Sequence, residues 1–370
     1  MDTSKARTEA AAVYKERQAT LDAHIRIGAV AFGLLGRIVD GKNGDRVLGE
    51  FYGALGKKIR PVQRVPRHED TILTAYQRNI VLSLAAVQTD FESACRDLLS
   101  DVMEFWPSSF KAQLAGVRPP PDAPHTLAKR GWAGCISEVL RSSSAGADFV
   151  KACYNFLELT PTDSDLERLP IFEYFRRCRN RVIHQDGTAG LDLATYSQSK
   201  ELLSAVNNLP ASVKAMVATL TTLPETKADE QIVMEPTHCI LFLIVARSLF
   251  DALAAKIQKR LSDEGYLRMA AYYAYGPPFH AFRLGREKHV VYPARRFLSE
   301  RYNVTGTDKD VVIQRFRELD LWDSIVKQYH ELFVPGQTTS MKRPERHTQT
   351  ERKLNIRLRT NRQRAGSKAT

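Results

Sequence analysis

Three polar residues that are close together in the chain, Arg179, Asn180 and His184, are of types that can act on a phosphate group. Histidine exchanges protons near neutral pH and therefore serves as a general acid or base. Arginine presents a planar set of N–H donors that matches the oxygens of a phosphate. Asparagine can orient an arginine or bond to a phosphate itself. Together these residue types indicate acid–base chemistry at a phosphate.

The sequence predicts that a single helix within residues 169–187 carries all three residues. Pro170 suits the first turn, where the N–H that proline lacks has no partner within the helix. Gly187 follows the last periodic residue and is a natural end. The apolar residues recur at helical spacing and form one face, which consists of Ile171, Tyr174, Phe175, Cys178 and Val182.

The side of this helix away from the apolar face also carries large side chains. At about 100° per residue, Arg179 and His184 straddle that side. The residues between them or beside them are Arg176, Asn180, Ile183 and, at the margin, Phe172. A helix side that faces only water has no need of two large apolar residues. We therefore expect this second face to meet another surface, such as a copy of itself.

The run from Arg179 to His184, RNRVIH, resembles the R-N-x-x-x-H form of the arginine–histidine motif of HEPN domains. These are small helical domains, many of them metal-independent ribonucleases, in which two motifs meet in a dimer to form one cleft. The resemblance implies an all-α fold, namely an antiparallel helical bundle of HEPN type with helical N-terminal and C-terminal extensions. It also implies that Arg179 and His184 are catalytic, that Asn180 assists them, and that the chain forms a homodimer through this helix. Residues 78–99 resemble, more loosely, the opening helix of bacterial HEPN domains.

The chemistry that this resemblance implies is cleavage of RNA. RNA carries its own nucleophile, the 2′-OH, so an enzyme must remove one proton, supply another to the leaving 5′-oxygen and stabilise charge on the phosphorus. One histidine cannot conveniently act on both sides of the phosphate, whereas a dimer supplies two. By resemblance, the products are a 2′,3′-cyclic phosphate and a 5′-hydroxyl, and a role in phage defence or a toxin system follows from the family alone. Arg176 and Arg181, on the same helix, are further candidate RNA contacts.

Other interpretations of the motif stay open. The pair can equally be a surface arginine and a histidine that the negative C-terminal end of the helix dipole favours. The chain can also be a non-catalytic RNA- or nucleotide-binding HEPN module, or a helical interaction or scaffold protein with an unknown regulatory partner. Glu92, next to Phe91 on a predicted helix over 71–106, is either within reach of the motif helix or a solvated surface residue.

Composition argues against several other classes of protein. The five cysteines are odd in number, scattered and without a C-x-x-C pair, which indicates reduced thiols and no zinc site or disulfide framework. No apolar run is long enough to cross a bilayer and the N-terminus lacks a signal-peptide pattern, so we expect a cytoplasmic protein without a membrane partner. The sequence contains no carboxylate cluster and no phosphate-binding glycine loop, so we predict neither a metal nor a cofactor. His238 is expected to begin a helix and not to bind a metal.

Composition also divides the chain into four parts. We predict an N-terminal helical extension (1–68), a helical bundle (69–263), a basic aromatic appendage (264–335) and a disordered basic tail (336–370). The net charge is +12, and the tail contributes +8 of it, since ten lysines and arginines there outnumber two glutamates. Almost no alternating strand pattern is present before residue 275.

The appendage interleaves aromatic and basic residues, as contact with single-stranded RNA requires. Its candidate RNA-binding residues are Arg283, Arg286, Lys288, Arg295 and Arg296, and the interleaved aromatic residues are Phe282, Tyr292 and Phe297. The alternative is that the appendage packs its aromatic side chains on the helical bundle.

Overall fold

The computed structural model is an all-α structure. It describes residues 1–39, 69–105, 127, 131–142, 147–184, 187–216, 223, 227–258, 261–276, 280 and 289–333. In these ranges the only extended pairings are two isolated bridges, between Asp2 and Thr305 and between Thr188 and Gln231. The prediction of an all-α fold is therefore confirmed.

The first half of the described chain contains α1 (Glu9–Val39), α2 (Glu69–Phe105), α3 (Trp132–Ser142), α4 (Ala147–Phe156), α5 (Asp163–Leu166), α6 (Leu169–His184) and α7 (Leu191–Ser197). The second half contains α8 (Lys200–Asn207), α9 (Ala211–Met216), α10 (Pro236–Gln258), α11 (Asp263–Tyr275), α12 (Tyr292–Arg296), α13 (Lys309–Glu318) and α14 (Trp322–Phe333). A π-helical turn, Phe297–Arg301, follows α12 directly.

The long helices α1, α2 and α10 pack against one another and form the centre of the structure. The apolar stripe that the sequence predicts along α2 is buried throughout, and it consists of Ile80, Leu84, Val87, Phe91, Leu98 and Val102. The first half of α10 is buried on several sides, as the apolar residues all round it predict. None of the described helices combines the length and the apolar character that crossing a membrane requires.

The two ends of the described chain meet. The backbone N–H of Asp2 donates to the carbonyl of Thr305 at 2.9 Å, and that of Thr305 donates to Asp2 at 3.0 Å. Nearby, the buried Arg301 pairs with the buried Glu9 at the start of α1. Residues from both ends contribute to the same cluster of buried side chains as α2 and α10.

Several boundaries differ from the predicted ones. The sequence predicts a loop over 188–194 and a helix over 195–220 that Pro210 interrupts. The described part of this region instead has three short helices: α7 begins at Leu191, within the predicted loop, Ser199 caps α8, and α9 follows Pro210. Helix α11, which the aromatic sequence of residues 264–276 did not reveal, has nine buried residues. The sequence also predicts a short helix around residues 46–56. This helix and the predicted basic tail lie outside the described residues.

Candidate functional site

The first half of the motif helix α6 is buried in the core. The ring of Phe172, 1% exposed, lies 4.8 Å from that of Phe91 on α2 and 5.3 Å from that of Phe242 on α10. Phe175 stacks on Phe242 at 5.2 Å. The expected position of Phe172 at the margin of an outer face is therefore wrong, because α2 and α10 enclose this half of the helix from both sides.

The second half of α6 leaves the core. Arg179 and Asn180 are half-buried, Ile183 is 39% exposed and His184 is exposed. The N–H of Gly187, at φ +76°, donates to the carbonyl of Arg181 at 3.3 Å and ends the helix. Glycine adopts this left-handed conformation without strain, so the predicted end of the helix is confirmed. Arg179 and His184 are thus on the half of the helix that a ligand can reach.

One N–H group of the Arg179 side chain has a hydrogen-bond partner, and another has none among the described residues. Its Nη1 donates to Asn180 Oδ1 at 2.9 Å, so the asparagine orients the arginine, which is one of the two roles that the sequence leaves open for it. Its Nε is buried and has no hydrogen-bond partner among the described residues. More than nine in ten buried polar groups in proteins have a partner, and leaving a donor without one costs about 1–3 kcal/mol. The described residues therefore leave part of the hydrogen-bonding capacity of Arg179 unused.

Glu173 organises the basic residues one turn earlier. Its carboxylate, 8% exposed, accepts hydrogen bonds from Arg176 Nε at 2.8 Å, from Arg176 Nη2 at 2.7 Å and from Arg177 Nε at 2.9 Å. Burial disfavours the charged carboxylate, but the two guanidinium groups outweigh it and hold the pKa of Glu173 below its ordinary value. Arg177 also lies over the ring of Tyr196, 4.2 Å from its centre. The predicted RNA contact Arg176 is therefore engaged within the chain.

Arg181, the other predicted RNA contact on α6, forms an ion pair with Asp192 at the start of α7. Its guanidinium lies against Gly190, where any side chain would overlap it. This pair ties the exposed end of the motif helix to α7. Because Asp192 is 55% exposed, the pair contributes little to stability, and an RNA phosphate can compete for Arg181.

The predicted RNA contacts in the C-terminal appendage are only partly described. Arg295 donates to the carbonyl of Thr307 at 2.6 Å, and Arg296 pairs with Glu300 at 3.1 Å. Phe297, which was expected to interleave with them as a base-stacking residue, is 1% exposed and packs beside Tyr273 and Tyr302. Arg283, Arg286, Lys288 and Phe282 lie outside the described residues. Tyr292 is 38% exposed. The other described aromatic residues of the appendage pack on the core.

Two further predicted residues have structural partners. Glu92 accepts hydrogen bonds from Gln88 at 2.9 Å and from Arg96 at 3.5 Å, both on its own helix α2. No described hydrogen bond joins Glu92 to the motif helix, which was one of the two alternatives for this residue. His238 accepts a hydrogen bond from the backbone N–H of Glu235 at 2.8 Å, which caps the start of α10 as predicted, and burial lowers its pKa.

Sequence reasoning missed the acidic partners of the motif helix, Glu173 and Asp192. The ion pairs of Glu173 could have been predicted, because a glutamate three and four residues before two arginines favours ion pairs along a helix. The ion pair of Asp192 could not, since it depends on how α7 packs against α6. Among the described residues, no group of three or more His, Cys, Asp and Glu side chains is arranged to hold a metal ion.

Comparison of the chain with protein-family models, with curated proteins and with solved structures finds no match. The function of the chain must therefore be inferred from the residues of the site.

Proposed function

We propose that the chain is a metal-independent endoribonuclease of HEPN type, and that two copies form each active site through the exposed end of α6. The observation that carries the proposal is the half-buried Arg179, which Asn180 orients and which has no ion-pair partner among the described residues, on the same helix end as the exposed His184. A phosphate oxygen fits the terminal N–H groups of such a guanidinium.

The proposed reaction assigns one task to each group. A histidine takes the proton of the 2′-OH, the 2′-oxygen attacks the adjacent phosphorus, and the bond from phosphorus to the 5′-oxygen breaks. A second histidine gives a proton to that 5′-oxygen. Arg179, oriented by Asn180, bonds to the phosphoryl oxygens, on which negative charge accumulates. The products are a 2′,3′-cyclic phosphate and a 5′-hydroxyl.

The direction of the side chains on α6 favours a dimer. Five residues of helix turn the chain by about 140°, so Arg179 and His184 of one protomer leave the helix in different directions. Ile183, 39% exposed, lies between them and suits a contact between two protomers. A second copy would bring a second His184 to the other side of the bound phosphate.

Cleavage assays with single variants test the catalytic roles. Wild-type protein incubated with RNA in EDTA should produce fragments with cyclic phosphate ends, and Arg179→Ala or His184→Ala should each reduce the rate by about 100-fold or more. Suitable controls are His24→Ala, an exposed histidine on α1, and Arg268→Ala, a half-buried arginine paired with Glu264 on α11. Cleavage that persists in both motif variants contradicts the proposal. RNA binding without cleavage by the wild type indicates a non-catalytic RNA-binding module instead.

A heterodimer tests whether the site is shared. Two differently tagged chains, one wild type and one His184→Ala, can be co-expressed and the mixed dimer purified. A shared cleft then lacks one of its two histidines, and its rate should fall by about 100-fold or more. Two independent sites would leave half of the wild-type rate. A half-active heterodimer therefore rules out the composite site but not the ribonuclease activity.

A further inference from the structure

A second concave site lies away from the motif helix, where the residues before α1, the first turns of α1, the later turns of α10 and Asn303 meet. It is a cavity of about 500 Å³. Cavities of this size hold small molecules, including nucleotides. None of its lining residues belongs to α6, so it is separate from the proposed ribonuclease site.

The charge of this cavity is strongly positive. Four cationic side chains line it, from Lys5, Arg7, Lys15 and Arg247, and the only carboxylate among the described lining residues is that of Asp251. Asp251 lies 3.6 Å from Arg247 Nε and forms an ion pair with it. This one carboxylate balances only one of the four positive charges.

One wall of the cavity is rigid. Tyr14 is 2% exposed and Gln18 is 3% exposed, and both residues line the cavity. The positions of both side chains are fixed, because Gln18 Nε2 donates to Asp90 at 3.2 Å and the Tyr14 ring packs 4.3 Å from that of Phe250. A rigid wall keeps the shape of the cavity before any ligand binds, which lowers the cost of binding.

Contacts with the C-terminal segment hold the mouth of the cavity in shape. Arg7 Nε donates to the carbonyl of Arg301 at 2.8 Å, and this bond does not use its terminal amino groups. Asn303 Nδ2 donates to the carbonyl of Lys5 at 3.0 Å. The cationic residues before α1 are therefore positioned before any ligand binds, which lowers the entropic cost of binding.

We propose that this cavity binds a small phosphorylated metabolite of nucleotide size. Its phosphates bond to the cationic groups of Arg7, Lys15 and Arg247, and the rest of the molecule packs against the wall that contains Tyr14 and Gln18. Small side chains from Ala11, Ala254 and Ala255 also line the cavity.

Isothermal titration calorimetry on the full chain tests the proposal with four probes: ATP, ADP, inorganic phosphate and adenosine. We expect ATP and ADP to bind more tightly than inorganic phosphate, and adenosine not to bind measurably, because the cationic groups need a phosphate partner. Adenosine binding as tightly as ATP, or no binding of any phosphorylated probe, overturns the proposal.

Two variants locate the binding. Arg247→Ala removes an exposed cation and should weaken ATP binding about tenfold. Lys15→Ala removes a second exposed cation and should weaken ATP binding several-fold while the thermal midpoint does not fall. The control, Arg26→Ala, changes an exposed arginine on α1 outside the cavity and should bind as the wild type does. Unchanged binding in Arg247→Ala and Lys15→Ala, or equal weakening in Arg26→Ala, overturns the proposal. None of these variants alters a residue of the motif helix.

Discussion

Replacing Glu9 with glutamine tests how strongly the two ends of the chain are joined. Glu9 is 3% exposed, and its carboxylate accepts hydrogen bonds from Arg301 Nε at 3.0 Å and Arg301 Nη2 at 2.7 Å. His280 Nε2 lies 2.9 Å from the same carboxylate. Arg301 is itself buried, and its other ion-pair partner, Glu16, is 64% exposed. Glu9→Gln keeps the shape of the side chain but removes the charge that Arg301 needs.

The expected cost is large for a single isosteric change. Removing one partner of a buried ion pair costs about 3–5 kcal/mol, because the remaining charge is left uncompensated. We expect the lower end of this range, about 3 kcal/mol, since glutamine still accepts one hydrogen bond and Glu16 still pairs with Arg301. Asp22→Asn is the control, because it breaks an ion pair with Arg26 whose side chains are 36% and 51% exposed. That change should cost no more than about 0.5 kcal/mol.

The dependence of this difference on pH follows from the pKa of Glu9. Burial raises that pKa, but hydrogen bonds from His280 and Arg301 outweigh burial and lower it below the ordinary value. A group whose pKa is lower in the folded chain stabilises the fold above its unfolded pKa and loses that contribution as the pH falls through its folded pKa. The difference between wild type and Glu9→Gln should therefore be constant from pH 7 to pH 5.5 and shrink below about pH 4.3.

Urea unfolding followed by circular dichroism measures both quantities, with the free energy of unfolding determined at several pH values for each protein. A loss of less than about 1 kcal/mol at pH 7 would refute the argument that this buried pair fastens α1 to the C-terminal segment. A difference that stays constant to pH 3 would show that the carboxylate charge is not its source.

Five further substitutions test other parts of the structure by the same unfolding measurement. Phe172→Ala should cost about 3–5 kcal/mol because the ring is enclosed by two helices, whereas Ile183→Ala should change stability by no more than about 0.5 kcal/mol and weaken self-association in analytical ultracentrifugation. Glu173→Gln should cost about 1–3 kcal/mol at pH 7, and the cost should shrink below about pH 4.3 because the pKa of this group is also lowered. Gly276→Ala should destabilise the fold by about 1–3 kcal/mol, since a Cβ there would meet two backbone oxygens, while Gly33→Ala, with open space at its Cβ, should stabilise α1 by up to about 1 kcal/mol.

Periodicity was sufficient to predict the helices that bury one face. Helix α2 keeps its apolar residues on one stripe, and every residue predicted for that stripe is buried. Helix α11 was missed because its tyrosines and alanines are buried on all sides and leave no polar face to mark the period. The contacts between Glu9 and Arg301 could not be predicted, because they join residues 292 positions apart and no pattern in the chain relates them.

The prediction for Phe172 was also wrong because it depends on contacts between distant parts of the chain. Its burial shows where the motif helix is accessible. A helical wheel gives α6 a single core face, yet in its first half the packing of α2 and α10 buries that face and Phe172 as well. The large apolar residues of the first half therefore need no second protomer, and the case for a dimer depends on Ile183 and on the directions of Arg179 and His184. Because Phe172 is buried within the protomer, a second protomer cannot cover it. A second protomer that covers Ile183 is consistent with every described contact. The heterodimer experiment should therefore be interpreted together with the Ile183→Ala self-association measurement. If Ile183→Ala abolishes both dimer and cleavage while leaving the fold intact, the exposed end of α6 is the interface that completes the site.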